Sequence, residues 1–268
     1  MNLKPHRSLG AVFVLWLEFF STDSVEKLRK LSQLDIPFDH YFSYISSMKK
    51  DHRHILLCLL LFSSFLIAAN LQPMQIARLK YGGGGDWYSN PGSIENLMDF
   101  IEVHTELTMA DEQAIVDLKS PELFHYTYLY TNGHGNIRFT EKEINRLRYF
   151  LENGGFLHAD DNYGMDQSFR REMKRVFPDK EWLELPFSHP IYHQKYDFPK
   201  GLPKIHEHDN KVAQGLGLFH RGRLVVFYTY ECDLGDGWEN AEVHNDPAEL
   251  RESALKMGTN IFLYHLNR

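Results

Sequence analysis

The chain has 268 residues, 43% of them hydrophobic and 24% charged, with a net charge of -7 and two cysteines. That mix excludes disordered, collagenous and polytopic membrane chains, and two cysteines exclude a disulfide scaffold. The negative balance argues against nucleic acid as a partner, because no broad basic face is left to neutralise phosphates.

At the N-terminal side, Lys49, Lys50, His52, Arg53 and His54 precede a fifteen-residue apolar run from Ile55 to Ala69, and Asn70 follows. A basic stretch, a short apolar stretch and small residues at its end describe a secretory signal peptide. A spanning helix needs about 20 residues. Signal peptides stand at a protein's start, so Met48 reads as the initiator. Residues 1–47 then read as an over-extended or disordered N-terminal segment, and residues 48–69 as the signal. Two other readings stand beside it: an uncleaved membrane anchor, and a buried helix behind a genuine N-terminal segment. The expected location is exported, periplasmic or extracellular, with anchoring through residues 55–69 as the alternative and the only membrane contact.

Residues 70–268 read as one domain, with no linker or repeat. Met74 to Tyr81 predicts a strand, and a glycine loop comes next. Ile94, Leu97, Met98 and Ile101 recur at helical spacing after Pro91 and Ser93. Ala114 to Leu118 and the aromatic run His125 to Thr131 predict strands. Thr140 with Glu143 forms a capping box for a helix that stops at Asn153-Gly154-Gly155. Phe156 to Ala159 predicts a buried strand and Asp166 to Phe177 a basic-faced helix. Trp182 to Leu185, Val212 to Phe219 and Leu224 to Tyr230 predict further strands. Asp246 and Pro247 read as cap and first residue of a last helix. Alternating strands and helices imply an α/β sandwich with a mostly parallel central sheet, whose ligands bind outside the carboxyl ends of the strands.

Four clusters stand at those ends. In Tyr81-Gly82-Gly83-Gly84-Gly85-Asp86-Trp87-Tyr88, the glycines permit close backbone approach, but neither the dinucleotide spacing nor a P-loop lysine is present. Asn132-Gly133-His134 comes after the aromatic strand and offers a loop histidine as base or ligand. Asp160-Asp161-Asn162-Tyr163-Gly164 comes after His158, and paired carboxylates there suit a metal or a substrate hydroxyl. Glu231-Cys232-Asp233-Leu234-Gly235-Asp236-Gly237-Trp238 reads as a rim loop able to close over a site. Cys232 lacks the flanking glycines of a nucleophile elbow. His206-Glu207-His208 places two histidines at alternate positions, without a zinc spacing.

The catalytic candidates are therefore His134, Asp160 and Asp161, and the same three with His193 are the candidates for a metal site. The ligand-binding candidates are Gly83, Gly84, Asp86, Trp87, Asn132, Tyr163, Asp233 and Trp238. No cofactor is specified.

The runs from Ala77 to Tyr88, TNGHG, GGFLHADDNYG, GDGWEN and NDPAELRESALKMGTNIFLYHL resemble a bacterial family known only as domain of unknown function 4159. The resemblance covers residues 74–268. It implies a fold similar to the class I glutamine amidotransferase-like superfamily, near its trehalose-utilisation type, and hence a flavodoxin-like three-layer sandwich. It implies no activity: the turn Asp160–Gly164 has no cysteine, and His244-Asn245-Asp246 only faintly echoes the superfamily's His-x-Glu. The expected function is binding of a small polar, carbohydrate-like ligand. The alternatives are a partner-binding module of an envelope complex and a metal-assisted hydrolase using Asp160, Asp161 and His134.

Overall fold

A computed structural model describes residues 73–208 and 210–268. The expected signal or anchor at residues 48–69, and the segment before it, lie outside the described residues. The chain divides into two units, and the second, Gln72–Arg268, contains all described residues. Among them, no helix is long and apolar enough to cross a membrane.

The elements in chain order are β1 (Ala77–Lys80), α1 (Ser93–His104), β2 (Ala114–Asp117), β3 (Tyr128–Thr131), α2 (Glu141–Glu152), β4 (Phe156–Asp160), α3 (Asp166–Val176), β5 (Leu183–Glu184), β6 (Gln214–His220), β7 (Arg223–Tyr230), α4 (Leu234–Trp238), α5 (Ala241–His244) and α6 (Ala248–Asn267). The seven-stranded sheet runs β2-β1-β3-β4-β7-β6-β5. Its first five strands are parallel; β6 and β5 add an antiparallel edge. This is the expected α/β sandwich, and its parallel part has the strand order of flavodoxin-like sheets. The order reverses between β1 and β3, and sheets of this order take ligands outside the carboxyl ends of their strands.

Period-two alternation gives each face of the sheet its own core. Leu79, Leu129, Leu157, Ala159 and Val226 pack with Ile144, Leu147 and Leu151 of α2 and with Phe169 and Met173 of α3. Ile76, Tyr128, Tyr130, Phe156 and Phe227 pack with Ile94, Leu97 and Ile101 of α1 and with Met257, Ile261 and Phe262 of α6. The predicted capping box at α2 forms, with Thr140 and Glu143 exchanging both bonds. The aromatic strand is shorter than expected. Pro121–His125 winds into a 3-10 turn, started by Pro121 and by the Ser120 side chain accepting from the Glu122 amide.

The α1/α6 face also buries polar groups. His158 is fully buried between the Tyr128 hydroxyl at 3.0 Å and the Thr229 hydroxyl at 3.1 Å. Burial pushes its pKa down to about 3. At the other end of the sheet, His265 of α6 meets the Thr127 hydroxyl at 3.0 Å. Burial, with the charges of Arg268 and Arg223, pushes its pKa down to about 3 as well. An unfolded histidine takes its proton near pH 6.5. Between those values the unfolded state binds more protons at this position, so its contribution to stability falls as pH falls. Glutamine does not titrate. The stability of His265→Gln relative to wild type should therefore improve by on the order of 2 kcal/mol between pH 7 and pH 4.5, read from urea unfolding at both values. A pH-independent difference would contradict the buried neutral imidazole.

Candidate functional site

Four strand ends converge at the crevice. After β1, Gly82 forms a bridge with Arg138. Gly83, at φ +111°, lies so close to this segment that a Cβ would stand 2.7 Å from the Arg138 amide and from the Asn136 carbonyl. The glycine run thus serves close backbone contact between two loops. Asp86 accepts from the His134 amide and pairs with its Nδ1 at 3.0 Å. Partial burial pushes the Asp86 pKa up, but the bonds from His134 outweigh it and hold the carboxyl below its ordinary range. Trp87 is half-buried, with the Lys80 ammonium 5.4 Å from its ring centre.

Arg78 of β1, only 1% exposed, organises the segment between the glycine loop and α1. Its guanidinium donates to the carbonyls of Ser89 and Asn90 at 2.9 Å each, to Ser93 Oγ at 3.1 Å and to Gln113 Oε1 at 2.6 Å. It also donates to Asn132 Oδ1 at 2.8 Å. Asn132, expected to contact ligand, is buried and committed to Arg78 and Ser89. It shapes the crevice from beneath.

At the end of β4, Asp160 is fully buried. Its Oδ1 accepts from Thr229 Oγ1 at 2.5 Å and its Oδ2 from the Gly235 amide at 2.7 Å. Burial pushes its pKa up to about 7, against those bonds and with the Asp236 charge. Asp161 is buried too, and burial with the Asp166 charge pushes it up to about 6. The chain then turns sharply into α3 through Tyr163, a non-glycine residue at φ 72°.

After β7, Glu231 (φ 58°) and Asp233 (φ 52°) both adopt left-handed conformations around the buried Cys232. The expected rim loop is instead the short helix α4. Trp238 is not a rim residue: it is 0% exposed, packs in the core against Tyr130 and His158, and donates its indole N–H to the Ala254 carbonyl at 2.8 Å. Cys232 is a buried thiol whose pKa burial and the Asp160 and Asp233 charges push up, away from nucleophile character.

Beside α4 lies the densest polar group of the domain. His206 Nδ1 stands 2.8 Å from Asp236 Oδ2, and its Nε2 stands 3.0 Å from Asp246 Oδ1. His208 Nε2 is 2.7 Å from Asp233 Oδ2, and the His208 ring stacks on Tyr163 at 4.7 Å. Asn90 Nδ2 and Asn162 Nδ2 donate to Asp236 Oδ1 at 2.5 and 2.7 Å. His244 Nε2 lies 2.9 Å from Asn90 Oδ1. The histidines are half-exposed and the carboxylates Asp233 and Asp236 beneath them buried. Burial, with Asp160 and Asp236, pushes Asp233 up to about 9. The Asp236 hydrogen bond raises His206 to about 9, burial opposing. Burial pushes Asp236 up, but the bond from His206 and the His244 charge outweigh it, so its pKa falls.

Seven non-glycine residues among those described have positive φ; Asn90, Tyr163 and Asp233 belong to this group, and Glu231 and Asn245 stand one or two positions from its members in the chain. Such conformations cost of order 1–3 kcal/mol each and gather at functional sites.

Of the predicted residues, the structure brings Asp86 and His134 together, and it buries Asp160, Asp161 and Asp233 near enough for their charges to act on one another, with Tyr163 on the turn after β4. Gly84 is open to solvent at the mouth of the glycine loop, and a Cβ there would meet nothing within 4 Å. The expected metal set does not assemble. His193 bonds Asp197 at 2.5 Å and the Phe187 carbonyl at 2.7 Å in its own loop. His134 is paired with Asp86, and both oxygens of Asp160 are engaged. Asp246 does not cap α6, which starts at Ala248; it bonds His206. His206, His208, Asp236, His244, Asn90 and Arg78 lie outside the predicted set of site residues. The alternate histidines and His244-Asn245-Asp246 are visible signals in the sequence, but nothing local joins them.

A family model described as "Domain of unknown function (DUF4159)" matches residues 75–266, from just before β1 into the last turn of α6. No curated protein matches the chain.

Proposed function

The chain belongs to the DUF4159 family, and for it we propose binding of a small, polar, carbohydrate-like ligand in the crevice at the carboxyl ends of β3, β4 and β7. One observation carries this reading: the strained backbone of Asn90, Tyr163 and Asp233 and the half-exposed rings of His206, His208 and His244 gather around the buried carboxylates of Asp233 and Asp236. Tyr163, 44% exposed, offers an aromatic face beside His208, and Asp86 with His134 offers a polar edge opposite. Rings that pack on apolar ring faces, beside carboxylates that accept from hydroxyls, suit a hydroxyl-rich ligand.

The relation to the class I glutamine amidotransferase-like superfamily is part of the proposal. The flavodoxin-type strand order and the strained β4-to-α3 turn at Tyr163 support it. A nucleophile elbow is such a strained strand-to-helix turn. Here it presents a tyrosine, and the one cysteine of the described domain is buried elsewhere, so thiol-based amide hydrolysis is not proposed. The hydrolase reading through Asp160, Asp161 and His134 has less support, because the first is buried and fully bonded and the last is paired with Asp86. Export rests on the composition of residues 49–69 alone.

The test is a calorimetric screen of monosaccharides, sugar acids and polyols against the full chain with chelator present. A ligand is expected whose affinity drops about tenfold in Tyr163→Gly, the equivalent of one lost ring contact. Glycine suits the positive φ, so this variant keeps its fold. Hits bound equally well by Tyr163→Gly and by Asp86→Ala would overturn the reading.

A further inference from the structure

We propose that His206, His208, Asp233 and Asp236 hold one divalent transition-metal ion, zinc by donor class, with His244 at the open side and Asp246 behind His206. The site shares its location with the proposed ligand crevice and rests on that reading only for its setting.

One nitrogen from each of His206 and His208 and one carboxylate oxygen of Asp233 lie within 4.8 Å of one another, and so do those of His206, Asp236 and His244. His206 Nδ1 joins the two sets, 2.8 Å from Asp236 Oδ2 and 4.0 Å from Asp233 Oδ2. Asp236 has its other oxygen tied down by Asn90 and Asn162, which leaves Oδ2 facing His206. Imidazole nitrogens and carboxylate oxygens are zinc donors; His206, His208 and Asp233 form one close set, and Asp236 reaches it through His206 Nδ1 at 2.8 Å.

The surroundings have the form of a metal site's outer shell. The far nitrogen of His206 lies against Asp246 Oδ1, which fixes which nitrogen faces inward. A carboxylate behind a ligating histidine does this at many metal centres. The ring of His208 is fixed by its stacking on Tyr163.

An unpartnered oxygen on a buried carboxylate of this set is a second observation. Asp233 is 0% exposed, and its Oδ1 has no hydrogen-bond partner; the Oδ1 of Asn162, 3% exposed, has none either. Buried polar atoms are nearly always paired, so a bare oxygen on a buried carboxylate whose other oxygen faces His206 and His208 marks a group with bonding capacity to spare. Asp233 and Asp236 stand at the first turn of α4, whose last residue, Trp238, is anchored in the core. His206 and His208 stand two positions apart with their rings edge to face, 6.3 Å between centres.

The experiment uses the full chain, stripped with chelator, desalted and titrated with zinc chloride by calorimetry. Wild type should bind one equivalent that disappears in His208→Ala and weakens at least about 100-fold in Asp233→Asn. Asp246→Asn should weaken the same equivalent about 10- to 100-fold, as loss of an outer carboxylate does. His208 is half-exposed, so His208→Ala should melt like metal-free wild type, and a matching melt separates lost binding from lost fold. Zinc taken up by other histidines of the chain would be unaltered in these variants and is thereby told apart. A wild-type titration with no equivalent sensitive to both His208→Ala and Asp233→Asn would overturn the proposal. Because the ligand screen is run with chelator, it succeeds or fails independently.

Discussion

Arg78→Leu is expected to destabilise the domain by on the order of 3–5 kcal/mol, a large share of a typical total of about 5–15 kcal/mol. Arg78 has no carboxylate partner among its hydrogen bonds. Its donors satisfy the carbonyls of Ser89 and Asn90 and the side chains of Ser93, Gln113 and Asn132, all at 3.1 Å or less. Leucine fills much of the volume but leaves those acceptors bare in a buried place, at about 1–3 kcal/mol for each one that water cannot reach. The loss should spread to the site, because Asn90 bonds both Asp236 and His244. Arg78→Lys keeps the charge but not the planar fork, so partial rescue of stability is expected. Urea unfolding of the two variants checks both statements. Equal stability of Arg78→Leu and wild type would show that the glycine loop does not depend on this side chain.

Trp238→Ala should cost about 3–5 kcal/mol, the usual range for emptying a large aromatic position in a core. The ring packs against Tyr130 and His158, and its N–H reaches the last helix at Ala254. A melting-point drop on the order of 10 °C is expected for a domain of this size. Trp87→Ala, at a half-buried ring, should cost much less. If the two variants melted alike, Trp238 would return to the rim where the sequence alone suggests placing it.

The layers of this fold are legible in the sequence because their signals are local. Ile94, Leu97, Met98 and Ile101 mark one helix face by spacing alone, and Thr140 with Glu143 marks a helix start by two side chains three positions apart. The site is less legible, because distant segments make it. His206 and His208, Asp233 and Asp236, and His244 come from three stretches that meet only after β7 has joined the sheet beside β4. Local rules also mislead there. Gly235 and Gly237 make α4 look like a loop, yet the Gly235 amide bonds buried Asp160, and a Cβ at Gly235 would stand 2.5 Å from the Tyr130 hydroxyl. Asp246 before Pro247 is a good cap by type, but His206 claims it. Charged residues at strand positions, such as Arg78, are the signal most easily passed over; an arginine between apolar neighbours in a buried parallel strand needs a network of acceptors.

A second candidate place sharpens the choice of experiment. A cavity of about 620 Å³ lies outside the glycine loop, between Lys80, Gly83, Asp117 and Arg138. It has volume, but at the start of α2 beside it the Thr140 and Glu143 amides are already taken by the capping box. The most direct measurement is therefore a crystallographic fragment screen with hydroxyl- and carboxylate-bearing compounds. Fragments are predicted between Tyr163, His208 and His244, over the buried carboxylates. Fragments confined to the cavity between Lys80 and Arg138, with the histidine group empty at every concentration used, would contradict the account.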